Sequence, residues 1–159
     1  MKTLEAYTDL KGRTIDLGEL EDAERDLIQE LIDRQRRESN WQAFSNYWMP
    51  RVANFYLPRG LSRRQITAKA AWKIAQDLDG RLAIRLGLAR PMDYRDELEE
   101  LIRDRFPTHR AFCEATGISE DLLSHVLARR KHLAIDTLSD ALERIGYRLH
   151  IVPLDESKA

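Results

Sequence analysis

The chain has 159 residues, 43% hydrophobic and 33% charged, a balance that suits one ordinary domain or two small ones around a real core. No apolar run approaches the roughly 20 residues needed to cross a bilayer, and the opening MKTLEAYTDLKGR has no apolar signal core, so the sequence predicts a cytoplasmic protein without membrane contact. The single cysteine, Cys113, excludes an internal disulfide and agrees with a reducing compartment.

A net charge of −1 hides an asymmetry. Residues 1–90 hold 16 Lys and Arg against 13 Asp and Glu, a balance of +3, whereas residues 91–159 hold 10 against 14, a balance of −4. Residues 1–18, with Gly12 and Gly18 among scattered polar side chains, are expected to form an extended or loosely ordered lead-in. From about 19 to 38, Leu20, Ala23, Leu27 and Leu31 recur at spacings of three and four and predict a helix, with Glu30 and Arg34 well placed to pair. Ser39-Asn40 reads as a stop and a new N-cap.

A second helix is predicted over 41–56, rich in aromatics (Trp41, Phe44, Tyr47, Trp48, Phe55, Tyr56), with a kink or a split expected at Pro50. Pro58-Arg59-Gly60 is a break. A third helix is predicted from 62 to about 86, with Ser62 and Gln65 as a capping box and Ile66, Ala70, Ile74, Leu78 and Leu82 as its apolar stripe. Gly87 and Pro91 end it, and residues 87–93 are the candidate domain boundary.

In the second half, residues 94–106 predict a helix with Leu98, Leu101, Ile102 and Phe106 inward, closed by Pro107. A short helix over 108–116 stops at Gly117, a second starts at Ser119, and an amphipathic helix over 136–145 follows a basic loop. Two helices joined by a tight glycine turn can hold the second one's first turn outward, where a DNA major groove would receive it. Residues 147–154 (YRLHIVPL) alternate apolar and polar and predict a short strand, whose edge would pair with the same strand of a second copy.

Residues 95–145 resemble the Xre/Cro family of helix-turn-helix repressors, which includes many antitoxins. The likeness rests on Phe112, Cys113, Gly117, Ile118, Ser119, Leu123, Ser124 and Val126, then Leu138, Ala141 and Leu142. Phe112-Cys113 stands where the family usually has Leu-Ala, and the closing segment looks like that of members which dimerise through a terminal strand. The resemblance covers about a third of the chain. It implies that Glu120, Asp121, Leu122, Ser124, His125 and Arg129 face the major groove, with Ser119 capping the recognition helix. Thr108 and His109 would open the preceding helix against the phosphates, and Arg129, Arg130 and Lys131 would grip them. Two departures stand out: Glu120 and Asp121 replace neutral polar residues, and Arg129 replaces a glycine, which implies a different path for the following loop.

Several features have a plainer reading. Glu120 and Asp121 suit the positive end of a helix dipole as well as a cytosine amine, and residues 129–132 suit a helix C-terminus. Residues 59–73 carry Arg59, Arg63, Arg64, Lys69 and Lys73 with no acid. They form either a second phosphate-binding surface or a basic flank paired within its helix, since Lys73, Asp77 and Arg81 are spaced by four; the paired reading is preferred here. The aromatic cluster is assigned to packing rather than base stacking. His109 and Cys113, one turn apart, are too few for a zinc site and lack a partner for nucleophilic catalysis. No metal, cofactor or catalytic residue is expected, and the chain is read as a non-enzyme.

The expectation is an all-α protein: a helical region over 1–90 for dimerisation or partner binding, then a lambda-repressor-like helix-turn-helix bundle over 91–159 with one short terminal strand. Its expected role is that of a dimeric, sequence-specific repressor on double-stranded DNA with a palindromic operator. The alternative is a protein-interaction module, such as an antitoxin bound to a toxin or an adaptor, in which the helix-turn-helix is mainly scaffold. The homodimer would form through residues 147–154 and the N-terminal helices.

Overall fold

A computed structural model of the chain describes residues 4–151. Among these the architecture is mostly helical, with eight α-helices and one two-stranded sheet. The chain divides into two compact units, one ending at Arg90 and the other beginning at Pro91, each with its own apolar core.

The first unit corrects the expected lead-in. Strands β1 (Ala6–Thr8) and β2 (Thr14–Asp16) form an antiparallel hairpin in which Tyr7 faces Ile15. The turn is built locally. The Asp9 carboxylate accepts the N–H groups of Lys11 and Arg13 at 2.9 Å, and Gly12 takes a φ of 75° that L side chains rarely adopt. Leu17, just after β2, is fully buried.

Helix α1 (Asp22–Arg37) starts at a reciprocal cap between Glu21 and Glu24 and buries Leu27, Ile28, Leu31, Ile32 and Gln35, while Ala23 of the expected stripe is exposed. Asn40 caps α2 (Trp41–Tyr56), accepting the Ala43 N–H at 3.0 Å. Pro50 does not split α2, which runs unbroken through it. A 3-10 turn (Leu57–Arg59) leads to Gly60 in the left-handed region, then to α3 (Arg63–Thr67), capped by the Ser62–Gln65 box. The single helix expected from 62 to 86 is two. Ala68 and Lys69 separate α3 from α4 (Ala70–Arg85), and the re-phasing brings Ala71 and Ala75 into the core beside Ile74, Leu78 and Leu82.

Helices α1 and α2 both pack on α4. Phe44, Trp48 and Tyr56 lie in this core with Trp41, Tyr47 and Phe55 against it, so the aromatic cluster serves packing. Trp48 meets Trp72 edge-on at 4.8 Å. Carboxylates tie the helices together. Asp79 accepts Trp41 Nε1–H at 2.9 Å, Trp48 Nε1–H at 3.0 Å and the Ser45 hydroxyl. Glu30 pairs with Arg51 and Tyr47 rather than with Arg34, which turns to Glu38.

The second unit consists of α5 (Tyr94–Arg105), α6 (His109–Thr116), α7 (Glu120–Leu127) and α8 (Ile135–Arg144). Its core gathers Leu98, Ile102, Phe112, Cys113, Ile118, Leu123, Val126, Leu133, Leu138, Ala141 and Leu142. Helix α6 packs on α7 and α8, and α5 on α7. The expected terminal strand does not form over residues 147–151, where Tyr147, Leu149 and Ile151 are exposed; residues 152–154 lie outside those described. A strand needs a hydrogen-bonded neighbour, and this single chain offers that segment none among the described residues.

Candidate nucleic-acid interface

The second unit's outer face begins with two capped helices. Thr108 Oγ1 accepts the Ala111 N–H at 3.1 Å and starts α6; Ser119 Oγ accepts the Leu122 N–H at 3.1 Å and starts α7. Between them Gly117 ends α6 with a φ of 79°. A Cβ there would lie 2.6 Å from Arg144 Nη1, and that guanidinium donates to the Thr116 carbonyl at 3.2 Å. The left-handed backbone therefore favours glycine at this turn, while the flexible end of Arg144 can move aside for a Cβ.

Helix α7 has two distinct faces. Leu123 and Val126 are buried, while Glu120, Asp121 and Ser124 are exposed and Leu122 and His125 are half-buried. Asp121 Oδ1 lies 3.7 Å from His125 Nε2 on this outer side. Thr108, His109 and Ser119 are exposed, as are Arg130 and Lys131 after the helix. The loop folds back on α7, because the N–H groups of Arg130 and Lys131 both reach the His125 carbonyl, at 2.9 and 3.3 Å.

Arg129 differs from these residues. It adopts a φ of 63°, the one non-glycine residue with positive φ among those described, and its guanidinium sits 2.8 Å from Asp93 and 2.7 Å from Asp96. The resemblance assigned Arg129 to base edges and phosphates, but its charge is engaged inside the unit. Asp93 also caps α5 through the Arg95 N–H at 2.8 Å and pairs with the Arg95 side chain at 2.7 Å. The Arg95 side chain, above all, holds the Asp93 carboxyl well below the usual range, aided by the Arg95 N–H and by Arg129 against the opposing cost of burial. Next to it, the Tyr94 hydroxyl accepts the Leu133 N–H at 2.9 Å and lies 3.0 Å from His132 Nδ1. The first turn of α5 thus fixes the basic loop from 129 to 133.

No family model, curated protein or solved structure matches the chain.

Asp93, Tyr94 and Asp96 are the participants sequence reasoning missed. Acids in a helix's first turn have a local explanation already, and nothing in the sequence indicates the loop about 36 residues later that they hold. Cys113 is buried; burial foremost, with the negative charge of Glu120, pushes its thiol up and away from nucleophilic chemistry. Among the described residues no three His, Cys, Asp or Glu side chains gather as metal ligands.

Proposed function

We propose that the protein is a DNA-binding regulator in which the second unit acts as a helix-turn-helix of Xre/Cro type. The observation that carries this reading is α7 itself. It is capped at Ser119, set off from α6 by left-handed Gly117, anchored by Leu123 and Val126, and leaves Ser124, Glu120 and Asp121 uncovered. Such a helix suits entry into a major groove by its first turns. Ser124, His125 and Leu122 read base edges, Thr108 and His109 meet phosphate at the start of α6, and Arg130 and Lys131 take phosphates beside the groove. Arg129 is a positioning residue that shapes the loop. Dimerisation, through residues 147–154 or the first unit, places two recognition helices about one DNA turn apart on a palindromic operator.

A second reading has its own support. Glu120 and Asp121 project from the outer face of α7, and Tyr147, Leu149 and Ile151 are exposed, which suits a protein partner such as a toxin better than phosphate.

Titration of the full chain against fragments flanking its own gene tests the choice. On the first reading a specific fragment binds, and Arg130→Ala with Lys131→Ala weakens binding about tenfold or more and reduces the slope of log K against log salt by roughly 2. No fragment binding at about 150 mM salt, together with a stable protein complex, favours the second reading.

A further inference from the structure

The first unit contains a charge segregation that the paired reading of residues 59–73 does not accommodate. From 39 to 76 the chain has six basic residues (Arg51, Arg59, Arg63, Arg64, Lys69, Lys73) and no Asp or Glu. The expected pairing of Lys73 with Asp77 is not made. Asp77 instead accepts Tyr7 Oη–H at 2.6 Å, the Leu10 N–H at 2.8 Å and Arg81 Nε–H at 2.7 Å. Among the described residues Arg63, Arg64 and Lys73 are exposed and join no ion pair.

The fold brings two of the six cations, Arg59 and Lys69, to one aromatic pair. Phe55 and Tyr56 meet edge-on at 4.8 Å; Arg59 Cζ lies 3.7 Å over the Phe55 ring, and Lys69 Nζ lies 5.7 Å from the Tyr56 ring centre. Arg63 and Arg64 stand in the helix between them in sequence, on α3, whose one large apolar side chain, Ile66, is buried. The acidic border of this surface is Glu24 of α1, which accepts the Tyr56 hydroxyl at 2.7 Å.

We infer that this face, formed by the 3-10 turn, α3 and the start of α4, binds the phosphate backbone of double-stranded DNA without reading its sequence. Exposed arginine forks match phosphate oxygens in pairs, and unpaired cations give up nothing within the protein when they bind. An anionic membrane suits the face less well, because α3 presents no apolar side to bury among lipid tails. The inference does not depend on the second unit and supplies the cationic surface that the acidic half of the chain lacks.

The test is a binding titration of the full-length protein on an arbitrary duplex of about 30 base pairs, across about 50–200 mM salt. Arg63→Ala/Arg64→Ala/Lys73→Ala should weaken binding at least about tenfold and lower the salt slope by roughly 3, about 0.9 per lost contact. The thermal melt should not change, since none of these side chains has a partner to lose. Arg63→Lys/Arg64→Lys should keep the slope. Wild-type binding and slope in the triple variant would overturn the inference, as would wild-type binding to phosphatidylserine vesicles but not to the duplex. Arg130→Ala/Lys131→Ala in the same titration separates the two surfaces. Loss with that pair alone assigns the contact to the second unit and overturns the inference. Loss with the triple variant alone upholds it and leaves the helix-turn-helix reading to the titration against specific fragments.

Discussion

Arg129 holds its guanidinium between Asp93 and Asp96 while its backbone occupies a region L residues avoid, so ion pairing and backbone strain oppose each other at one position. Two substitutions separate the effects. Arg129→Ala and Arg129→Gly both remove the ion pairs, but glycine also removes the steric penalty that alanine keeps. Alanine should therefore be the less stable of the two by roughly 0.5–1 kcal/mol, read from urea denaturation side by side. Equal stability would mean that the left-handed turn relaxes once the pairs are gone. The resemblance to Xre/Cro repressors singles out this position, where glycine is usual among them, yet not the means of compensation, which comes from α5.

Among the elements, the joint of α2 with α4 at Asp79 is held by polar contacts as well as by packing. Its carboxylate is the common acceptor for Trp41, Ser45 and Trp48, and Trp48 is 2% exposed. Asp79→Ala leaves these donors without an acceptor and should cost about 2–4 kcal/mol. Denaturation followed by tryptophan fluorescence reads the loss; a cost below about 1 kcal/mol would show that water replaces the carboxylate. Elements whose signals are local were legible in the sequence: the Asn40 and Ser119 caps, the Ser62–Gln65 box, and the stop at Gly117 all form as written. Elements decided by distant contacts were not. The break at Ala68-Lys69 has no glycine or proline to announce it, and Glu30 chose Arg51 across the helix pair over Arg34 on its own helix. The alternation over 147–151 forms no strand within the single chain, because pairing depends on a neighbour as well as on side chains. At the candidate site the helix ends were readable from composition, whereas the grip of α5 on the basic loop depended on the tertiary fold.

For the molecule as a whole, each unit closes its own core, and the first does so with help from its opening hairpin. Tyr7 and Leu17 are buried there, Asp77 binds Tyr7 and the Leu10 N–H, and Arg81 reaches the Thr8 carbonyl at 2.8 Å. A polypeptide started at residue 19 should lose at least about 3 kcal/mol, chiefly from the two missing core side chains, and its urea midpoint should fall accordingly. An unchanged midpoint would make the hairpin ornamental. Composition alone invites trimming at that point, since the first stretch looks dispensable. The opposite holds: Tyr7 and Leu17 belong to the first unit's core, so that core is complete only when the hairpin meets α4.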